Sequence, residues 1–231
     1  MSLYRSKQIL IFCLTVFAIH SSSIAAQKQF TRQPRASSFR LEKHAEGLAH
    51  DLYVTVNGRE RRVTKQAMEA WIIDGGRSVV YSALDGSGGY ENEGQSLRIY
   101  DVRTRRIRKV LSEYFGIDAV MDVRLTTGQL ALLVRMSDGG LGASYFAVVD
   151  PRRGEVFFRR WAEATRLNRD HVTLAFYKED DWAEILDERA GKENDSAKVI
   201  SQTKVKPVKT ERHDLKRLLR RPVIHNKPTP R

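Results

Sequence analysis

The chain has 231 residues, with 40 Lys and Arg against 28 Asp and Glu, a net charge of +12 and a single cysteine. That length accommodates one sizeable domain with appendages. One cysteine, Cys13, excludes any intrachain disulfide framework or multi-thiolate zinc site.

Residues 1–26 read as a secretory signal. Arg5 and Lys7 form a basic start, "ILIFCLTVFAI" (9–19) an apolar core, and "SSSIAA" (21–26) a small-residue cleavage region. The apolar run is short for a membrane span, and an uncleaved anchor is the alternative. Bulky Phe12 before Cys13 disfavours a lipid-attachment site. Cleavage would leave a mature chain without a thiol, so without a cysteine nucleophile. The expected location is periplasmic or secreted.

Charge is unevenly spread. Residues 51–189 carry 21 basic and 22 acidic side chains, whereas 190–231 carry 12 and four. A near-neutral body argues against a broad basic face on the domain.

Residues 27–50 read as a polar linker in which "SFRLEKHAEGLAH" (38–50) is a candidate short helix capped by Ser38. Residues 51–189 read as an all-β domain. "VVYSAL", "LALLVRM" and "YFAVV" are apolar on both faces, as inner strands are. "DAVMDVRL" alternates, placing Ala119, Met121, Val123 and Leu125 on one face, and "HVTLAFY" does the same with Val172, Leu174 and Phe176. "VNGR", "DGGR", "TTGQ" and "DPRRG" mark the turns. Residues 190–231 are Lys- and Pro-rich with few aromatics and read as a disordered basic tail, with "HDLKRLLRR" a fragile amphipathic turn or two.

The strands recur as units. "AWIIDGG–RSVVYSALDGSGG–SLRIYDVRT–RRIRKVLSE" is followed by "AVMDVRLTTG–QLALLVRMSDGGLG–SYFAVVDPRRG–EVFFRRWAE". "HVTLAFYKEDD–WAEILDERAG" reads as a shorter third copy, and "DLYVTVNGRERRVTK" as the last two strands of another. Four-stranded meanders of roughly 50 residues are the signature of propeller blades. The pattern, best seen in "DGSGGYENEGQSLRIYDVRT", resembles the propeller repeats of the Tol-associated periplasmic (TolB-like) family. That resemblance implies a binding and scaffolding surface with no catalytic residues. Two full and two partial units are too few for an ordinary closed ring. An open edge strand would then need cover from a tail or a partner.

Candidate sites are few. In "SALDGSGGYENEG" (82–94), Asp85, Ser87, Glu91 and Glu93, with Asn92, offer oxygens for calcium. An EF-hand register fails at both ends, at Ala83 and Gly94, so a structural loop is favoured. The second copy, "SDGGLGAS", keeps the glycines and loses the glutamates. Glu179, Asp180 and Asp181 form a second acidic cluster, read as a solvated hairpin. "RTRRIRK" (103–109) is either an anion contact or an outer strand guarded by charge, the latter favoured. Trp71, Trp161 and Trp182 are expected in blade cores. Lys204, Lys206, Lys209, Lys216, Arg217, Arg220 and Arg221 are the tail's candidates for weak contact with an anionic polymer or surface.

No metalloprotease helix, nucleophile elbow, phosphate loop or dinucleotide fingerprint is present. The expected function is a non-catalytic binding or scaffolding protein of the cell envelope, with a protein partner, no cofactor and a potential for oligomers. The alternatives are a hydrolase using carboxylates of the 85–93 loop and the 179–181 cluster, or polyanion binding through the tail.

Overall fold

The computed structural model describes residues 33–43, 49–84, 95–113, 116–137, 144–190 and 198–220. The signal-like segment, the loop carrying Asp85, Ser87, Glu91 and Glu93, its counterpart at 138–143, and Arg221 lie outside the described residues.

Three antiparallel sheets stack in chain order. The first holds β1 (Ala36–Lys43), β2 (His50–Val56), β3 (Arg59–Ile73), β4 (Ser78–Leu84), β5 (Gln95–Asp101) and β6 (Ile107–Glu113). The second holds β7 (Gly116–Arg124), β8 (Leu130–Ser137), β9 (Ser144–Asp150) and β10 (Glu155–Arg160). The third holds β11 (Ala162–Asn168), β12 (His171–Phe176) and β13 (Lys209–Asp214). Helix α1 (Trp182–Ala190) follows β12, and α2 (Leu215–Arg220) follows β13. Within each sheet, neighbours in sequence are neighbours in space, save that α1 and its sequel separate β12 from β13. The fold is all-β and propeller-like, an open series of meanders among the described residues.

Side-chain alternation builds the layers. In β8, Leu132, Val134 and Met136 face the first sheet, while Ala131 and Leu133 face the third. In β9, Tyr145, Ala147 and Val149 join the first interface, and Phe146 and Val148 the second. This is the period of two that a doubly covered strand requires. Ala119, Met121, Val123 and Leu125 share one face as expected, and Val172, Leu174 and Phe176 do the same against that cluster. Trp71 and Trp161 pack against the interface of the first two sheets, and Trp182 is buried with Tyr177 and Ile185.

Several expectations are corrected. Residues 38–43 belong to strand β1, not a helix. Paired with β2, this segment satisfies its backbone in the sheet, and Ala36 enters the core. "DLYVTVNGRERRVTK" is not a separate blade. Its second strand runs straight on as β3, whose first half pairs with β2 and second half with β4. The register shifts between Ala67 and Ala70. Leu52 and Val54 meet Val79, Tyr81 and Ala83. "AEATRLN" is an additional strand, β11. "WAEILDERA" is helix α1, with Trp182 and Ile185 three apart on its buried side.

The largest correction concerns the basic tail. Residues 209–220 are ordered as β13 and α2. β13 pairs with β12 along its length, from His171↔Asp214 to Phe176↔Lys209. On the opposite edge of the hairpin, Ser201 N–H donates to the Ala164 carbonyl at 2.7 Å beside a parallel bridge from Ala164 to Ile200. The segment 198–220 therefore covers both edges of the β11–β12 hairpin. Val199, Leu215 and Leu219 insert into the core between the second and third sheets. Buried Arg135 anchors the start of this segment through a hydrogen bond to the Lys198 carbonyl.

Candidate functional site: an arginine-lined cleft

The β3–β4, β5–β6, β7–β8, β9–β10 and β11–β12 turns lie at one end. Asp74 N–H, in the β3–β4 turn, donates to Asp122 Oδ2 at 2.8 Å. Thr126 N–H, in the β7–β8 turn, donates to Asp170 Oδ1 of the β11–β12 turn at 2.9 Å. Carboxylates thus fix each inner turn to the next sheet. Asp101 and Asp150, the recurring strand-end aspartates, close the outer turns. Asp101 Oδ1 accepts from Thr104 N–H at 2.6 Å and Thr104 Oγ1 at 2.8 Å, and Asp150 Oδ1 accepts from Arg152 N–H at 2.8 Å. Burial works to raise the Asp101 pKa, but the Thr104 donors outweigh it and hold the carboxyl below its ordinary value.

Between the first two sheets, these turns enclose a cleft of about 510 Å³. Five arginines line it: Arg77, Arg106, Arg108, Arg124 and Arg152, against the two carboxylates of Asp74 and Asp101. Two arginines are structural. Arg108 donates to the Pro151 and Arg152 carbonyls, and Arg124 bridges Asp74 and the Gly128 carbonyl. Arg77 stands 3.8 Å from Asp74. Arg106 and Arg152 are exposed, and neither guanidinium has an ion pair or hydrogen bond among the described residues. Of its apolar lining, Ile73, Ile99, Leu130 and Pro151 are buried, and Ile107 alone is exposed. Ile107 is 45% exposed. Free guanidinium forks beside an exposed apolar side chain can grip a carboxylate or phosphate and the carbon attached to it.

The sequence pointed at part of this. "RTRRIRK" supplies Arg106, Ile107 and Arg108, but Arg77, Arg124 and Arg152 come from three other turns. The near-neutral body total gave no sign of this local gathering of arginines.

Of the tail cations, Lys216 is paired, with Nζ 2.9 Å from Asp170 Oδ2. Lys209 pairs with Glu211 at 2.6 Å. Arg217 lines a second recess, of about 570 Å³, with Arg159, Arg212, His213, Phe157 and Leu218. There the Arg159 guanidinium stacks 4.5 Å from the Phe157 ring centroid. Burial outweighs the neighbouring Glu211 and lowers the His213 pKa, favouring the neutral ring. Lys204, Lys206 and Arg220 are exposed and line neither recess.

The acidic cluster at 179–181 forms a helical turn entering α1 rather than a hairpin. Asp181 Oδ2 accepts from Lys178 N–H at 3.1 Å. Among the described residues, no three His, Cys, Asp or Glu side chains are grouped to hold a metal.

No family model matches the chain, and no curated protein matches it. Among solved structures it is similar to the β-propeller domain of the Trilobed protease from Pyrococcus furiosus, which has an open velcro topology. The TM-score is 0.39 at 14% identity, over 61% of this chain and 49% of that one. The chain spans about half the length of that domain.

Proposed function

We propose that this chain is a non-catalytic binding protein that captures an anionic group of a partner in the arginine-lined cleft. The observation that carries the reading is the pair of unpartnered guanidiniums, Arg106 and Arg152, presented beside exposed Ile107 by turns that Asp101 and Asp150 close. A propeller-like stack of meanders is consistent with a binding or scaffolding role. The signal-like start of the sequence supports work outside the cytoplasm, in the cell envelope or beyond it. There the likeness of "DGSGGYENEGQSLRIYDVRT" to TolB-like repeats supports a protein partner.

Affinity capture from envelope extract tests this. The wild-type chain is expected to recover a reproducible partner, and the Arg106→Glu/Arg152→Glu variant to lose it without a change in melting temperature. Binding should weaken steeply with salt, as contacts of exposed guanidiniums do. Equal recovery by wild type and variant would remove the cleft from the reading.

A further inference from the structure

The cleft is one of three recesses in a row. Arg152 lines it and also an adjoining hollow of about 510 Å³ formed by Thr127, Gly128, Gln129, Asp150 and Arg153. From that hollow Arg153 reaches α2, its Nη1 3.4 Å from the Leu219 carbonyl. The neighbouring residues of α2, Arg217 and Leu218, line the recess beside Phe157. Lys216 makes the same crossing at the next turn, with Nζ 3.5 Å from Thr126 Oγ1. Arg152 and the Arg153–Leu219 contact therefore link the three recesses, from the first sheet across the second to α2.

The cations along the path are mostly arginines. Arg106, Arg152, Arg212 and Arg217 are exposed and have no side-chain partner among the described residues. Accessible apolar side chains occur at both ends, exposed Ile107 at one and half-buried Phe157 and Leu218 at the other. An inorganic or sugar polyanion would use the charges and leave the apolar surface wet. Single-stranded nucleic acid needs free aromatic faces for its bases. The one phenylalanine here is already engaged, by Arg159 and by the His213 ring at 5.2 Å.

We infer that the ligand is an extended acidic peptide segment of a protein partner, with apolar residues among its carboxylates, laid along this path. Its carboxylates meet the arginine forks and its apolar side chains fill the two ends. This rests on the anion-binding reading of the cleft and adds both the ligand class and the second half of the site.

The test is fluorescence anisotropy on the full chain with labelled synthetic peptides. One has about 12 residues, ~40 Å when extended, with Asp and Glu interspersed with Leu and Ile. A second replaces Leu and Ile by Ser, and a third is the first cut to about four residues. Polyphosphate and oligothymidylate are run as competitors. The first peptide should bind about tenfold or more tighter than either of the others. Arg106→Gln and Arg217→Gln should each weaken it several-fold, with melting temperatures unchanged. Equal binding of the Ser peptide, or tighter binding of polyphosphate or oligothymidylate, would overturn the peptide assignment and leave the cleft as an anion site. Sensitivity to Arg106→Gln alone would overturn the path. Failure of every anion to bind would overturn both this inference and the function it rests on.

Discussion

Lys216 on α2 closes on Asp170 in the β11–β12 turn, Nζ to Oδ2 at 2.9 Å, and the same carboxylate accepts both donors of Thr126 from the second sheet. One side chain thus joins the C-terminal segment, the third sheet and the second. The Lys216 and Thr126 donors favour the charged form and lower the Asp170 pKa to about 2.

That depression fixes a pH dependence. An unfolded Asp titrates near pH ~4. The folded group stays charged to about 2, so its stabilisation is complete above ~4 and is lost as pH falls towards about 2. Thermal melts from pH 7 to 2 should show a fall in this window. Asp170→Asn should lower the melting temperature at pH 7 and flatten that part of the curve. A variant with the wild-type acid profile would show that the contact is not made in solution.

The two glycines of the β3–β4 turn should behave differently. Gly76 has φ +84°, and a Cβ there would stand 2.4 Å from the Ala36 carbonyl oxygen. Gly75 has φ +60° with nothing within 4 Å of its Cβ position. Gly75→Ala should cost about 1 kcal/mol, the left-handed backbone term alone. Gly76→Ala should cost about 3 kcal/mol or more, because the backbone of β1 must move as well. Urea denaturation of both variants decides it, and equal costs would place Ala36 away from this turn.

The segment 198–220 is predicted to be essential for folding. Leu215 is fully buried, and Leu215→Ala should cost about 2–5 kcal/mol. Truncation before residue 198 should yield an aggregating chain, since it uncovers both edges of the β11–β12 hairpin and removes three core side chains. A truncated chain that stays monomeric by light scattering, with a wild-type melting temperature, would contradict this. Deleting the tail is therefore a poor assay of its charges, and point changes such as Arg217→Gln are the informative ones.

Arg135 is 2% exposed and donates to the Lys198 carbonyl, with Asp118 3.8 Å away. Arg135→Met should cost about 1–3 kcal/mol, because it removes the donor to the Lys198 carbonyl and the positive charge near Asp118. Arg135→Lys should recover only part, since a single ammonium lacks the fork that spans two acceptors. Urea titration measures both, and a neutral Arg135→Met would show that residue 198 is held by other means.

What the sequence revealed depended on where the signal was written. Strands buried on both faces announced themselves through apolar runs, as at Val79–Ala83 and Leu130–Met136. The half-buried ones did so through alternation, as at Val172 and Leu174. "KTERHD" has no apolar residue, yet it is β13, because a strand can be held by its backbone bonds to a neighbour that supplies the burial. Its composition read as disorder for that reason. In "WAEILDERA" only Trp182 and Ile185 mark the helical period, too few to separate it from a strand. The cleft was half legible. Arg106 and Arg108 stood out in a basic run, but Arg77, Arg124 and Arg152 are single residues in separate turns, gathered only by the stacking of the sheets.

The arrangement around β12 also sets an order of events at synthesis. β12 ends at Phe176, and the strand that covers its outer edge begins only at Lys209. A ribosome adds roughly 5–20 residues per second, so the hairpin emerges on the order of seconds before its cover. During that interval the nascent chain offers an unpaired strand edge. The fold closes from its late end, with the last described segment acting as the clasp, and a translational pause between these two strands would hold the chain in its most adhesive state.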